Sequence, residues 1–411
     1  MKKYDEYKDS GVAWIGEVPR HWEVIKLKYK YHFQTGATPN TGKKENFEGE
    51  LKWANISDLN GSVVYDTTKH INKEAASKCS MNISPKGSLM YSFKLSVGTV
   101  AFCGEDMYTN EAIASFIPQK NDLKYLFYCA PIFIIHNANR NIYNAPLLNQ
   151  ELIKNALICL PSLNEQTAIA TYLDTHCAKI DNLISIQQKR IALLQELKQS
   201  VITHAVTKGL NPNVEMKQSG VEWIGDVPKH WELVRTRYLC NLCTGSKDTI
   251  NRVDDGKYPF YVRSPKVERI NTYSFDGEAI LMAGDGVGAG KVFHYAVGKF
   301  DYHQRVYNFH NFKHVLGKFF YNYISNNFKY IIEEGGAKNT VDSVRLYMIQ
   351  NFMTTVPPLE EQMEICNYIE QKEKVFDTSI SNAQHQIELL QEYKQSLITE
   401  VVTGKRKVTD N

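Results

Sequence analysis

Apolar residues recur in the alternating three-and-four step of a helical seam over two long stretches of the chain, 163–206 and 359–402. In the second they fall at Ile369, Phe376, Ile380, Ala383, Ile387, Leu390, Leu397 and Val401, and in the first at Leu173, Ile180, Ile184, Ile191, Leu194, Val201 and Ala205. Two long helices with coiled-coil seams are predicted. Gln187, Glu373 and the matched Lys198 and Lys394 interrupt the stripe, and a lone polar residue there fixes register at some cost in stability. The stretches are copies of each other: Leu193-Leu194-Gln195-Glu196 runs on to Thr203 as Leu389-Leu390-Gln391-Glu392 runs on to Thr399, 196 residues later. Related signals introduce them, Pro161-Ser162-Leu163-Asn164-Glu165-Gln166 and Pro357-Pro358-Leu359-Glu360-Glu361-Gln362. Ser162 and Glu165 predict a capping box, and Pro358 suits a first helical turn. Gly209 with Pro212 beyond it predicts the end of the first helix, whereas Gly404-Lys405-Arg406-Lys407 predicts a frayed basic tail.

A second repeat lies outside the helices. Ser10-Gly11-Val12-Ala13-Trp14-Ile15-Gly16-Glu17-Val18-Pro19-Arg20-His21-Trp22-Glu23 recurs, with few changes, as Ser219 to Glu232, 209 residues on. The two copies therefore share their ends and differ by 13 residues in what lies between. The intervening regions, about 24–159 and 233–355, have little mutual identity. A frame kept twice around two different inserts points to the inserts as the source of specificity. Both inserts read as mixed modules. Strand-like runs at 87–93 and 98–103 precede a helical stretch at 123–137, and runs at 279–283 and 291–295 precede one at 312–332. The expected fold class is α+β, each module with a curved, mostly antiparallel sheet.

With 411 residues, 43% hydrophobic and 23% charged, the chain has room for two or three domains. It begins without an apolar signal region and has no run near the ~20 apolar residues that span a bilayer, so a cytoplasmic protein outside any membrane is expected. Of eight cysteines only Cys240 and Cys243 form a CxxC. Without a second pair of ligands, reduced thiols are expected rather than zinc. A net charge of +3 defines no polyanion partner by itself. Several basic residues do fall in loop-like stretches near Tyr, Asn or Ser, which is compatible with a nucleic-acid surface.

The usual catalytic signatures fail on inspection. The Pro357-Pro358 pair lacks the flanks of an amino-methyltransferase motif. The glycine run Gly284 to Lys291 lacks the spacing of a phosphate-binding loop and reads as a tight connection between strands. Glu196-Leu197-Lys198, Glu392-Tyr393-Lys394 and Glu370-Gln371-Lys372 mimic a nuclease Glu-x-Lys but lie in the long helices without an evident Asp. His21 and His230, each beside a Trp inside the repeated frame, read as packing or docking residues rather than acid-base catalysts.

The motifs SGVxWIGxVPxHWE at 10–23 and 219–232, PxLxEQ at 161–166 and 357–362, and LLQExKQSxIT at 193–203 and 389–399 cover the chain in a doubled order. In this the sequence resembles the specificity subunit of a type I restriction-modification enzyme. The resemblance implies two globular target recognition domains separated by two long helices packed as an antiparallel coiled coil, with approximate two-fold symmetry. The corresponding boundaries are 1–160 and 219–356 for the recognition domains, 161–208 and 357–404 for the helices, 209–218 for a linker and 405–411 for a basic tail. It further implies a non-catalytic subunit that reads a bipartite duplex. Its partners would be two adenine methyltransferase subunits, which carry S-adenosylmethionine, and optionally ATP-dependent restriction subunits; no cofactor is expected in this chain. A helix of 44 residues is about 66 Å long, against ~34 Å for one DNA turn, so the spacer is on the right scale. The family has no fixed contact motif, so contact residues are chosen by the chemistry of base edges and phosphates. They are Lys43, Lys44, Lys94, Asn139, Arg140 and Tyr143 in the first module. In the second they are Lys247, Arg252, Arg263, Lys266, Gln304, Arg305 and Lys338. A coiled-coil scaffold whose modules bind protein is the alternative.

Overall fold

The computed structural model describes residues 2–119, 122–334 and 343–408. It forms two compact units, Met1–Ile186 with Gln386–Asn411, and Gln187–His385. Both long helices are present, Leu163–Lys208 and Leu359–Val402. Each gives its N-terminal part to one unit and its C-terminal part to the other. In the first unit Ile169, Leu173, Cys177 and Ile180 share a core with Leu397, Val401 and Val402. Lys394 Nζ donates to both Asp181 carboxylate oxygens at 2.7 and 2.8 Å. Rising numbers on one helix thus meet falling numbers on the other, and the pairing is antiparallel. In the second unit Ile202, Ala205 and Val206 pack with Ile365 and Ile369, and Lys198 Nζ lies 2.9 Å from Asp377 and 3.4 Å from Glu373. All the predicted seam positions are buried or half-buried. The two lysines that interrupt them do have Asp partners, each supplied by the opposite helix, so in the Glu-x-Lys triplets at 196–198 and 392–394 the lysines belong to the seam while Glu196 and Glu392 are exposed.

The helix starts hold the repeated frame. Tyr4 donates its hydroxyl proton to Glu165 at 2.6 Å, and His21 Nε2 is 3.0 Å from the same carboxylate. Glu361 likewise accepts from Trp231 Nε1 at 3.0 Å and lies 2.8 Å from His230 Nε2. The predicted capping box is therefore only half made. Ser162 Oγ accepts from the Glu165 amide at 3.4 Å, while the Glu165 side chain turns to the frame instead. The following glutamines are buried and donate back to Pro161 O at 2.9 Å and Pro357 O at 2.8 Å. Glu and Gln in PxLxEQ are thus fixed by hydrogen bonds within the fold, and of the two His-Trp pairs the tryptophans are buried while the exposed histidines meet the two glutamates.

The second helix does not fray. Gly404 (φ 72°) ends it as Gly209 (φ 79°) ends the first. Lys405 Nζ donates to Glu17 O at 2.5 Å, Arg406 pairs with Glu400 at 2.9 Å, and the Lys407 amide donates to Lys2 O at 3.0 Å. The expected loose tail is docked through residue 407 because the left-handed glycine turns it back onto the frame.

Each insert is closed at its base by its own two ends. Glu23–Lys26 pairs antiparallel with Leu157–Leu160, and Glu232–Arg235 with Met353–Val356. Above this lies a sheet whose first five strands follow the same order in both units. In the first the order is Phe33–Thr35, Ile113–Phe116, Leu89–Ser92, Val100–Cys103, Val63–Val64. In the second it is Asn241–Thr244, Val306–His310, Phe275–Ala283, Phe293–Tyr302, Tyr258–Tyr261, Glu268–Ile270. Pairing is antiparallel except where Val63–Val64 lies parallel to Val100–Cys103 and Tyr258–Tyr261 to Phe293–Tyr302. Helices Leu123–Phe133 and Gly317–Asn327 cover the sheets, burying Tyr125, Phe133, Phe319 and Tyr323. The predicted strands and covering helices are all found, the strands of the second unit running longer than expected.

The first strand of each sheet ends in Thr-Gly, at 35–36 and 244–245. A Cβ on Gly36 would stand 1.6 Å from Thr109 O, and one on Gly245 2.1 Å from Tyr302 O. Neighbouring backbone touches the chain here. Gly245→Ala is expected to force these strands apart and to cost about 1–3 kcal/mol. A urea midpoint that falls while the slope stays constant is the measurement that checks it.

Candidate nucleic-acid interface

In the second unit four loops converge at one end of the sheet. The glycine run connects Phe275–Ala283 to Phe293–Tyr302. It is a tight interstrand loop: the Gly284 amide donates to Arg305 O at 2.8 Å and the Gly290 amide to Ala283 O at 2.9 Å. Asp285, on this loop, receives Arg263 Nη1 at 3.0 Å and Arg305 Nε at 3.6 Å. Two guanidinium groups thus share one carboxylate, leaving an excess positive charge on exposed residues. The Gln304 amide donates to Lys247 O at 2.8 Å, and Gln304 Nε2 donates to Asp248 at 2.8 Å. Lys247, Arg263, Gln304 and Arg305 are therefore brought together. Fixed guanidinium forks beside amide donors suit bidentate contact with phosphates or guanine edges.

Arg252 and Lys266 stand apart, both 3.8 Å from Glu268, with Asp254 3.6 Å from Arg252. Lys338 lies outside the described residues. The first unit spreads its candidates over three exposed stretches: Lys43 and Lys44 at a 3₁₀ turn, Lys94 in the loop between the central strands, and Asn139, Arg140 and Tyr143 on the hairpin of Asn139–Arg140 and Pro146–Leu147. Among the described residues no hydrogen bond or ion pair joins these three stretches. Arg140 Nη1 instead donates to Asn144 O at 2.9 Å, bracing the hairpin.

Charge and polarity do not single out the exposed aliphatic side chains at the loop tips. Ile142, Ile250, Leu95 and Val287 are each about nine-tenths exposed or more. Glycine and asparagine neighbours marked such tips, as in Asn141-Ile142-Tyr143-Asn144 and Gly286-Val287-Gly288. Cys240 is buried, which pushes its thiol up to about 12, while Cys243 is exposed with Sγ 3.2 Å from the Tyr302 hydroxyl. Among the described residues no group of three His, Cys, Asp or Glu side chains is placed to hold a metal ion, and no helix is long and apolar enough to cross a membrane.

Burial holds the His303 imidazole below its usual range, and the Arg263 charge adds to this. Its Nδ1 accepts the Arg305 amide proton at 2.9 Å, which needs that nitrogen unprotonated. Burial depresses His294 as well. The unfolded chain binds these protons more readily, so this stabilisation is present above the ordinary histidine pKa and is lost as pH falls through it. The second unit is expected to melt at lower temperature at about pH 5.5 than at about pH 7.5, and His303→Asn to flatten that slope. Melting curves at the two pH values check both.

A family model described as the type I restriction modification DNA specificity domain matches the chain twice, at residues 19–196 and 228–389. The chain belongs to that family. It is 26% identical over 264 residues to the type I restriction enzyme MjaIX specificity subunit of Methanocaldococcus jannaschii, a match spanning 62% of this chain and 60% of that one. It is 25% identical over 430 residues to the putative MjaX specificity subunit of the same organism, spanning 96% of each. The match to the Escherichia coli EcoDI specificity subunit, 27% identical, spans 40% of that relative's length. A solved chain described under complex assembly and conformational transition of the type I R-M system has the same fold, with a TM-score of 0.71 at 14% identity over 94% of this chain and 98% of that one.

Proposed function

We propose that this chain is the non-catalytic DNA-recognition subunit of a type I restriction-modification complex. Each insert reads one half of a bipartite duplex target, and the long helices set the unread gap between the halves. The observation that carries this is the frame repeated around two inserts that share a five-strand order and have unlike sequence, with a cluster of guanidinium groups on the loops of the second. Two short discriminations multiply, so a bipartite site is selective without any single contact being strong. The chemistry belongs to partners: two adenine methyltransferase subunits carrying S-adenosylmethionine, docked on the helices and frame, and in a restricting system ATP-dependent subunits as well. The first module presents Lys43, Lys44, Lys94, Asn139, Arg140 and Tyr143 to DNA. The second presents Lys247, Arg263, Gln304 and Arg305, with Arg252 and Lys266 towards the flanking backbone, and Lys338 is kept as a candidate on its chemistry alone.

The test is methylome sequencing of a host that expresses this chain with its methyltransferase partner, together with duplex binding by the purified complex at several salt concentrations. A bipartite methylated motif and a steep fall of affinity with salt are expected. Binding without salt dependence, or no new methylated motif, overturns the reading.

A further inference from the structure

Resting on that DNA-reading function, we propose that the loop between the two central strands of each insert is a wedge. It presses Leu95 in the first unit, and Val287 in the second, into the base stack of its half-site. The two loops occupy the same place in the sheet. One joins Leu89–Ser92 to Val100–Cys103, the other Phe275–Ala283 to Phe293–Tyr302. Both strand pairs are flanked in the same way, by an antiparallel neighbour on one side and a parallel one on the other. Each loop carries at its tip an aliphatic side chain that the fold leaves bare, Leu95 91% and Val287 95% exposed. A lone exposed aliphatic residue is ordinary. Its recurrence at one topological position, in two modules without shared sequence there, is not.

The tips are held rather than loose. The Val97 amide donates to Leu95 O at 2.8 Å and the Gly98 amide to Ser92 O at 2.9 Å. In the other loop the Ala289 amide donates to Gly286 O at 2.9 Å and the Lys291 amide to Gly288 O at 3.0 Å. Each loop closes through a left-handed glycine, Gly98 (φ 94°) or Gly290 (φ 63°), beside the end of the covering helical segment, at Pro131 or at Phe328 and Ile332. Leu95 itself sits at φ 58°, a region that costs a leucine energy and persists where the surroundings impose it. Cations flank both tips: Lys94 is adjacent to Leu95, and Arg263 Nη1 approaches Gly286, next to Val287. A rigid apolar point beside a positive charge fits a duplex, whose phosphate the cation holds while the side chain opens a base step. An opened step lowers the cost of extruding a nearby base for chemistry by a partner.

The test uses the full chain with its methyltransferase partner and duplexes carrying its methylated target, with 2-aminopurine replacing one adenine in either half-site. Binding of the wild type is expected to raise the fluorescence about threefold or more in both halves as the base unstacks. Leu95→Ser should abolish the rise in one half-site only and Val287→Ser in the other, with affinity falling less than about tenfold. Both side chains are exposed, so unchanged melting temperatures are expected to confirm folded variants. A rise that survives both substitutions, or no rise from wild type that is bound, overturns the wedge. So does a loss of affinity with undiminished fluorescence per bound complex, which would assign the tips to groove contact. Failure of the wild-type complex to bind the duplex overturns the DNA-reading function itself.

Discussion

Trp231→Ala is expected to remove about 3–5 kcal/mol from the stability of the second unit, the usual range for emptying a fully buried tryptophan site. The ring has no exposed surface and its Nε1 donates to Glu361, so the substitution leaves both a cavity and a carboxylate short of a partner. It also frees the frame from the start of the second long helix, where Glu361 and Gln362 are fixed. Against a typical domain stability of about 5–15 kcal/mol, that loss is a large share of the total. Chemical denaturation and limited proteolysis within 187–385 are the measurements. Trp231→Phe separates the two contributions, since it fills most of the space and loses only the hydrogen bond. A midpoint for Trp231→Ala equal to the wild type would show that the frame does not support the unit.

Removal of both guanidinium groups, Arg263→Ala with Arg305→Ala, is expected to lower duplex affinity roughly 100-fold and to reduce the salt slope by about 2. Both side chains converge on Asp285, so their loss strips two cations and leaves a bare carboxylate facing the phosphates. Restoring neutrality with Asp285→Asn in the double variant should recover part of the affinity through removal of that repulsion. Binding isotherms at several salt concentrations distinguish the cases. If only the affinity for the cognate sequence falls, with the salt slope intact, the pair reads base edges rather than phosphates.

The long helices were legible because their period persists over many turns and the repeats show the same solution used twice. The frame was legible as a repeat, though not its bonding: Glu165 satisfies a capping-box pattern yet serves Tyr4 and His21, partners more than 140 residues away. Local rules assign a side chain to its own helix end unless tertiary packing supplies a better donor. The topology of the sheets was hidden for a related reason. Strands such as Val63–Val64 and Phe33–Thr35 are too short to carry a period, and Phe33–Thr35 pairs with Ile113–Phe116 far along the chain. One signal was present and passed over. Thr35-Gly36 and Thr244-Gly245 keep the 209-residue offset of the frame, and they mark where each sheet turns against backbone that admits no side chain. Among contact residues, the chemistry of a side chain selected Arg263 and Arg305. Only the fold places them on one aspartate, and it sets Arg252 and Lys266 apart beside Glu268.

Closure of each insert by pairing of its own two ends makes the reading module an excursion that leaves and rejoins the frame at one spot. The frame is indifferent to the path taken in between, provided the returning strand arrives in register. An insert of unrelated sequence with matching ends can therefore leave the helices and the frame undisturbed, and under the proposed function exchange of such a cassette would change the target.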